Sequence, residues 1–331
     1  MQTFTGKQYL YIALANHYGL DKLTWDERLD WGRDNYQNIL TNPGDFSDAD
    51  EPILLHKTAR ELHKVLSGKP TSYLMGIDAT ASGLQIFAAL TGCKKTAANV
   101  NLINTGKRED VYLKVAKVMC VHGAEVDRDM VKKPIMTTFY GSVRQPAVLF
   151  GEDSPELQAF YETLEEELTG AWEAMGDIQS LWQSDMAYHA WTLPDGHTAY
   201  VPVMVETDKK IEVDELDHAT FTHKAYVNKP QDKGLSLAAN VIHSIDGYVV
   251  REMVRRASKQ GFTLLTIHDS FWASPKYINE VRDNYRQILA EIAESDLLAD
   301  ILSQISGYEV EIEKLSNDLA DDIRNSEYAL S

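Results

Sequence analysis

The order of polar and apolar residues predicts an α+β fold, because stretches with strand character stand apart from stretches with helix character. Helical periodicity dominates residues 8–68. Alternating residues flank a Pro-Asp-Gly turn within 189–205, which is a strong signal for a β-hairpin. A second pair of strands is expected at 209–213 and 218–227. We therefore expect small separate sheets and not a doubly wound sheet.

The first half of the chain predicts helices around one short strand. The breaker-rich loop TNPGDFSDAD (41–50) separates the N-terminal helices. Residues 71–77 predict a strand that ends at Asp78, and residues 82–90 predict a helix for which Ser82 fits the N-cap position. Further helices are expected at 108–122, 129–141, 155–190 and 235–259.

The C-terminal part predicts a hairpin followed by helices. FTLLTI (262–267) has the apolar character of a buried strand, and a second strand, FWAS, follows the tripeptide HDS. The remaining residues predict helices over 276–305 and 311–325.

Composition excludes several broad classes of protein. The 331 residues are 44 % apolar and 25 % charged, which is typical of globular proteins and argues against disorder. The net charge of −18 excludes a sequence-blind nucleic-acid coat, which needs positive charge. Cys93 and Cys120 are too few for a disulfide framework and fit a reducing compartment. With no signal-peptide pattern and no apolar stretch of membrane-spanning length, we expect a soluble intracellular protein.

The charge is unevenly spread along the chain. Residues 76–151 contain ten basic and six acidic residues, whereas residues 278–331 contain four basic and thirteen acidic ones. Residues 152–167 add seven acidic residues and no basic one. The middle of the chain is thus mildly basic, which is compatible with a nucleic-acid enzyme that has one local basic surface.

Two aspartates stand at strand ends. Asp78 follows the predicted strand 71–77, and Asp269 lies in the turn of the hairpin FTLLTI-HDS-FWAS. Two carboxylates at strand ends can bind divalent cations that assist phosphoryl transfer, and Mg²⁺ is the expected ion because it prefers hard oxygen ligands. Taken singly, each aspartate also fits an ordinary turn residue that bonds nearby backbone.

The segment RDMVKKPIMTTFYGS (128–142) predicts a helix with one functional face. Arg128, Lys132, Met136 and Tyr140 are spaced by four residues, so they lie on the same side of a helix. The basic residues could hold a triphosphate, and the aromatic ring could support a base pair. An amphipathic surface helix is the simpler alternative. Pro134 is expected to begin or kink this helix.

Three elements, in this order, resemble motifs A, B and C of the single-subunit DNA-dependent RNA polymerases of phages and mitochondria. They are the strand–Asp–helix LMGIDATASGLQIFAAL, the R-x3-K-x7-YG helix and the hairpin IHDSF. The resemblance extends over nearly the entire chain, through ALANHYGLDK, DVYLKVAKVM, WTLPDGHTAY, NVIHSIDGYVVREMV, SDLLADILSQI and DIRNSEYALS. It implies a polymerase right hand with a palm and fingers.

The resemblance implies roles for individual residues. Asp78 and Asp269 would be catalytic aspartates that bind two Mg²⁺ ions, together with the backbone carbonyl of Ala79. His268 would support the turn. The phosphates of the incoming nucleotide would contact three cations, namely Arg128, Lys132 and Lys22.

The resemblance also implies a preference for ribonucleotides. Tyr140 would gate the insertion site, and His243 would be its partner in sensing the ribose 2′-OH. In the related DNA polymerases a glutamate stands five residues after the first catalytic aspartate and an aromatic residue stands in the middle of motif B. Gly83 and Met136 occupy these positions here, so a ribose hydroxyl is expected to fit.

Parts of the family pattern are not found. Full-length members carry an N-terminal promoter-binding domain, a thumb and a T/D-x-x-G-R motif before the matching segment. The nearest string, Asp30-Trp31-Gly32-Arg33, is one residue short and follows ALANHYGLDK, so we interpret it as a coincidence. The segment GSVRQPAVLF is also shorter than usual. We therefore expect the catalytic subunit of a split, heterodimeric phage RNA polymerase, whose partner subunit supplies the thumb and the T/D-x-x-G-R region.

By resemblance, the chain divides into a helical palm insertion (1–69), a first palm segment with motif A (70–93), the fingers (94–243) and a second palm segment with motif C and the C-terminal helices (244–331). The fingers would include hairpins at 189–227, and the six acidic residues between 206 and 217 disfavour reading of a DNA groove. Promoter recognition would then depend on another factor, such as a promoter-recognition or single-stranded-DNA-binding protein, or on a single-stranded template.

The expected reaction is template-dependent RNA synthesis from nucleoside triphosphates, on a DNA template, in the cytoplasm of an infected bacterial host. Three alternatives stay open at this point. They are a fragment of a DNA polymerase, a metal phosphohydrolase that uses the HDS element, and a non-catalytic scaffolding subunit of a polymerase.

Overall fold

The N-terminal part of the chain is helical, as predicted. A computed structural model describes residues 1–228 and 235–331. Helices α1 (Gly6–Tyr18), α2 (Trp25–Thr41) and α3 (Pro52–Leu66) pack on one another. Thr5 and Thr24 each form a capping box with the Gln or Glu three residues later, which sets where α1 and α2 begin.

The first strand leads directly into a buried helix. Strand β1 (Met75–Asp78) is followed by α4 (Ser82–Thr91), which is apolar on all sides and lies in the core. The expectation that Ser82 is the N-cap is wrong. Ala81 takes that position with a φ of 92°, and the Ser82 hydroxyl hydrogen-bonds instead to the Asp246 carboxylate.

Six short helices fill the middle of the chain: α5 (Lys94–Asn99), α6 (Val111–Val121), α7 (Arg128–Phe139), α8 (Arg144–Phe150), α9 (Pro155–Glu167) and α10 (Thr169–Ser180). Helix α7 begins before Pro134, because the Asp127 side chain caps it by accepting from the Met130 N–H. The single predicted helix 155–190 is wrong. It is interrupted at Leu168 and ends at Ser180, since the chain then enters a strand at Tyr188.

Two hairpins precede a long helix, as predicted. Strand β2 (Tyr188–Thr192) pairs with β3 (Thr198–Pro202), and β4 (Met204–Val213) pairs with β5 (Ala219–Asn228). Helix α11 (Leu235–Lys259) follows. The buried Trp191 donates its indole N–H to Ser244 Oγ at 2.9 Å, which fastens the first hairpin to α11.

The central sheet has three antiparallel strands. Strands β6 (Leu265–Ile267) and β7 (Ser270–Ala273) join β1 in the order β1-β7-β6. The expectation that 262–267 is a buried strand is wrong for its second half. Leu265 is 51 % and Ile267 61 % exposed, because β6 is an edge strand and its outer face is uncovered.

Helices α12 (Ile278–Glu294), α13 (Leu297–Ser306) and α14 (Leu319–Asn325) complete the fold. The predicted helix 311–325 forms only in its second half. Residues 311–318 are irregular because they make contacts elsewhere: the Leu315 N–H bonds Thr91, and the Lys314 amine donates to the carbonyls of Ala293 and Ser295.

The last residues return to the central sheet. The N–H of Ser331 donates to the Asp78 carbonyl at 3.0 Å, and the N–H of Asp78 donates to the Ser331 carbonyl at 3.4 Å. Strand β1 is thus held on both edges, by β7 and by the C-terminal residues. Among the described helices, none combines the length and the apolar character that a membrane span requires.

Candidate active site

The antiparallel register brings the two predicted catalytic aspartates to the same end of the sheet. Asp78 pairs with Ser270 across β1 and β7, and Asp269 immediately precedes Ser270. The Ala79 N–H donates to the Asp269 carbonyl at 3.1 Å. His268 completes the turn with a φ of 55°, so it shapes the backbone that carries Asp269. Two residues 191 positions apart in sequence thus become neighbours through strand pairing.

The electrostatics of this pair favour a bound cation. Burial raises the pKa of Asp269, and the negative charge of Asp78 raises it further. Two carboxylates that repel each other gain most from a cation placed between them. The Ala79 carbonyl, which lies at the same cavity, accepts no hydrogen bond from the described residues. This set of oxygen donors fits Mg²⁺.

A cavity of about 600 Å³ opens beside the aspartates. It is lined by nearly all of the residues that the sequence singled out, namely Lys22, Asp78, Ala79, Gly83, Arg128, Lys132, Met136, Tyr140, His268 and Asp269. His243 does not line it. The cavity therefore collects residues from the N-terminal helices, the central sheet, α4 and α7.

The basic residues of α7 reach the cavity beside an aromatic ring. The Arg128 guanidinium lies 5.7 Å and the Lys132 amine 5.9 Å from the centre of the Tyr112 ring. Arg128 Nε donates to Asp110 at 2.7 Å. Lys132 forms no ion pair within the described part of the chain, so its charge is available to a ligand. Lys22 pairs with Asp21 at 2.6 Å.

Tyr140 lies in the lining of the cavity, next to His243 and Gly83. Its ring centre lies 4.5 Å from that of His243, at an angle of 41° between the rings. A Cβ atom built on Gly83 would lie 2.9 Å from the Tyr140 hydroxyl oxygen. His243 is itself exposed and packs against Tyr140 without lining the cavity. Desolvation lowers the pKa of His243, which favours the neutral imidazole.

Sequence reasoning missed a third carboxylate. Asp246 lies three residues after His243 on α11, and burial together with the charge of Asp269 raises its pKa to about 6. Burial, Asp246 and Asp269 also raise the pKa of Tyr140. The i, i+3 spacing in HSIDG was the available signal, because it places both side chains on one face of a helix.

Three further cavity residues that sequence reasoning missed lie at the start of α6 or just before it. Asp110 caps α6 and binds Arg128, and these hydrogen bonds lower its pKa although burial acts in the opposite direction. Burial raises the pKa of Tyr112 to about 12, so its phenol stays protonated. Arg108 also lines the cavity. The string KRED, a mixed charge cluster before a helix, was the available signal for Arg108 and Asp110.

A second group of potential metal ligands lies outside this cavity. Glu212, Asp214 and His218 approach one another at the exposed tip of the β4–β5 hairpin. The His218 Nδ1 atom lies 2.9 Å from Glu212 and 3.2 Å from Asp214, so side-chain pairing accounts for the group. It is not part of the candidate active site.

Comparison with known proteins agrees with this geometry. The family model for DNA-dependent RNA polymerase matches residues 3–150 and 161–328. A DNA-directed RNA polymerase of Pseudomonas phage phiKMV is 24 % identical over 361 residues, which cover 91 % of this chain and 44 % of the relative.

Two mitochondrial DNA-directed RNA polymerases are also similar. That of Arabidopsis thaliana is 24 % identical over 90 % of this chain and 36 % of the relative, and that of Neurospora crassa is 33 % identical over 41 % of this chain and 12 % of the relative. The chain thus spans less than half the length of these curated relatives.

Proposed function

This chain belongs to the DNA-dependent RNA polymerase family, and we propose that it carries out template-directed RNA synthesis from nucleoside triphosphates. One observation carries the proposal: Asp78 and Asp269, on adjacent strands, share a cavity with the basic face of α7. Nucleotidyl transfer requires carboxylate oxygens that bind a metal ion next to basic side chains that bind the triphosphate, because the metal and the triphosphate must meet.

The acidic side of the cavity would hold two Mg²⁺ ions. Asp78, Asp269 and the carbonyl of Ala79 are the proposed ligands. When bound, Mg²⁺ supplies charge neutralisation at the RNA 3′-OH and at the leaving pyrophosphate. The β1–β7 pairing keeps the two carboxylates in place, and His268 holds the turn that presents Asp269.

The basic side would bind the triphosphate. Lys132 has no acidic partner among the described residues, so it is proposed as the residue that neutralises the reacting phosphates. Arg128 would bind beside it, oriented by Asp110, and Lys22 would reach the same phosphates from the N-terminal helices.

The part of the cavity around Gly83 and Tyr140 would select ribose. Gly83 has no side chain, and the Tyr140 hydroxyl lies so close to it that a Cβ atom there would stand 2.9 Å from the hydroxyl oxygen. We propose that Tyr140 meets the sugar there, with His243 holding its ring, and that Met136 leaves room where DNA polymerases have an aromatic residue.

In the proposed right hand, residues 70–93 and 244–331 form the palm, residues 94–243 the fingers and residues 1–69 a palm insertion. Residues 229–234 of the fingers lie outside the described part. Asp30 pairs with Arg33 at 3.3 Å on α2, and neither residue lines the cavity, which supports the interpretation that D-W-G-R is not the T/D-x-x-G-R motif.

We propose that a second subunit supplies the thumb and the T/D-x-x-G-R region, as in a split phage enzyme acting in the cytoplasm of the infected host. The DNA template and RNA product would then lie between the subunits. The acidic β4–β5 hairpin supports dependence on a promoter-recognition or single-stranded-DNA-binding factor.

The test is nucleotide incorporation on a primed DNA template, with the chain alone and with any subunit that co-purifies from the native host. We expect Mg²⁺-dependent incorporation of ribonucleotides. Preferential incorporation of deoxyribonucleotides would instead identify a DNA polymerase. Full activity of the chain alone would disprove the split enzyme.

A further inference from the structure

One arginine of the cavity has no acidic partner. Arg108 lies between α5 and α6, is mostly enclosed and lines the cavity. Its Nε donates to Ser331 Oγ at 3.0 Å. Across residues 1–228 and 235–331 its guanidinium forms no ion pair and no further hydrogen bond. Two of its nitrogens therefore have donors to offer to a ligand in the cavity.

Arg108 shares this property with Lys132, whereas the other two cations of the cavity are paired. Arg128 is bound by Asp110 and by Asp129, and Lys22 is bound by Asp21. Enclosure of a guanidinium without a directly bonded carboxylate costs hydration that its neighbours replace only in part. Burial lowers the pKa of Arg108, while the charges of Asp21, Asp110 and Asp78, which it does not bond, act in the opposite direction.

A second arginine without an ion pair among the described residues repels Arg108. Arg28 is fully buried on α2, and its Nε and one terminal nitrogen have no hydrogen-bond partner among the described residues. Burial, with repulsion by Arg108 as the next cause, lowers the pKa of Arg28 to about 9. An anion bound at Arg108 would relieve the repulsion between the two arginines.

We propose that Arg108 is a further phosphate-binding residue of this cavity, which donates two parallel hydrogen bonds to oxygens of the polyphosphate chain of the incoming nucleotide. A guanidinium suits this task because its fork matches two phosphate oxygens. The choice of nucleotide as the ligand rests on the proposed function. It is favoured over a nucleic-acid backbone because Lys22, Arg128 and Lys132 line the same cavity.

Direct binding of inorganic tripolyphosphate with Mg²⁺ tests this inference without polymerisation. Calorimetry with the full chain should show that Arg108→Gln weakens binding about tenfold to a hundredfold, and that Arg108→Lys weakens it less. In the incorporation assay, Arg108→Gln should raise the nucleotide KM by a similar factor and leave the Kd for primed template unchanged. Unchanged tripolyphosphate binding, or a weaker template Kd with an unchanged nucleotide KM, overturns the inference.

Two control variants separate ligand binding from a structural role. Lys107→Gln removes the neighbouring charge, which is exposed and paired with Glu109 at 3.3 Å, and should leave tripolyphosphate binding unchanged. Ser331→Ala removes the one hydrogen bond of Arg108 but keeps its charge. If Ser331→Ala weakens binding as much as Arg108→Gln, Arg108 acts only by holding the C-terminal residues and the inference fails.

The outcomes also separate this inference from the proposed function. Arg108-dependent tripolyphosphate binding by a chain that incorporates no nucleotide, even together with the subunit that co-purifies with it, would keep the phosphate site and refute the polymerase. Ribonucleotide incorporation that is unchanged by Arg108→Gln would support the polymerase and refute the phosphate site at Arg108. Thermal unfolding of each variant shows whether the fold is retained.

Discussion

The Tyr140 hydroxyl oxygen lies 2.9 Å from the place where a Cβ atom of Gly83 would stand. Since protein Cβ atoms do not approach an oxygen so closely without displacing it, any side chain at Gly83 must move the tyrosine. The first turn of α4 and the C-terminal end of α7 therefore meet beside Asp78 and Asp269, in the lining of the same cavity.

Substitution of Gly83 is expected to change the choice of sugar. Gly83→Glu fills the space proposed for the ribose 2′-OH and displaces Tyr140, so ribonucleotide incorporation should fall by about tenfold or more relative to deoxyribonucleotide incorporation. The ratio of the two kcat/KM values on one primed template measures this effect.

Gly176→Ala is the matched control, because this glycine lies in α10 with nothing within 4 Å of the added Cβ. It should leave the ratio unchanged and stabilise the helix by about 0.5–1 kcal/mol. If Gly83→Glu kept the wild-type ratio, the proposed ribose site would be in the wrong place.

Asp110 is expected to control nucleotide affinity through Arg128. Asp110→Asn retains an oxygen that caps α6 but removes the charge that holds the Arg128 guanidinium, so the nucleotide KM should rise about three- to tenfold. Asp318→Asn, which removes an exposed ion pair to Lys94 outside the cavity, should not change KM. Equal KM values for both variants would show that the Arg128–Asp110 pair is not needed to orient Arg128.

The raised pKa of Asp246 predicts a dependence of stability on pH. An acid whose pKa is higher in the folded state than in the unfolded state binds more protons when folded, so it costs stability as pH rises through that interval. Here the interval runs from the unfolded value near 4 to about 6. Between these two pH values, the free energy of unfolding of Asp246→Asn should rise by up to about 3 kcal/mol relative to that of wild type. Denaturant unfolding in EDTA measures this difference.

Asp195→Asn is a control variant for which the pH dependence of stability should have the opposite sign. Its carboxylate is bound by Arg251, mainly through a side-chain hydrogen bond that lowers its pKa. The free energy of unfolding of wild type should therefore fall relative to that of Asp195→Asn as the pH drops below the pKa of the unfolded state, near 4. If the difference in free energy of unfolding between wild type and Asp246→Asn did not change between pH 4 and 6, this result would contradict the burial of a charged Asp246.

The sequence predicted those parts of the site that local strand and helix signals carry. Asp78 and Asp269 stand at strand ends that the apolar pattern reveals, and the four-residue spacing of α7 places Arg128, Lys132 and Tyr140 on one face. What it could not predict depends on distant contacts. Asp246 acquires its environment from α4 and the central sheet, which no local pattern encodes.

The errors in secondary structure have the same origin. Ser82 has the composition of an N-cap, but its hydroxyl binds Asp246 across the fold, and Ala81 takes the cap position. Leu265 and Ile267 read as buried because they are apolar, yet they lie on the uncovered face of an edge strand. Residues 311–318 have helical periodicity but bond to α4 and to the end of α12.

Two arginines stacked on Trp25 are expected to differ in their effect on stability. Arg28 lies 4.0 Å and Arg282 4.4 Å from the ring centre, but among the described residues only Arg282 forms an ion pair, with Glu327 at 3.2 Å. Replacing a buried arginine without a charged partner removes a desolvation cost, so Arg28→Met should change the free energy of unfolding by less than about 1 kcal/mol or raise it.

Arg282→Met breaks the ion pair with Glu327 and leaves the carbonyls of Gln2 and Glu327 without their donor, while the Glu327 carboxylate keeps the N-terminal ammonium at 3.2 Å. It should therefore lower the free energy of unfolding by about 1–3 kcal/mol. Denaturant unfolding of the two variants measures the difference. If Arg28→Met lowered the free energy of unfolding more than Arg282→Met does, Arg28 would have to make a more stabilising interaction than its hydrogen bond to Asn16.

The most direct test of catalysis by this chain is ribonucleotide incorporation by the enzyme as purified from its native host, with Asp269→Asn in place of the wild-type chain. Loss of one of two metal-binding carboxylates should lower kcat by more than about 10³-fold, while the exposed Asp300→Asn should leave it unchanged. An Asp269→Asn enzyme with wild-type kcat would contradict the account and leave the chain the role of a scaffold.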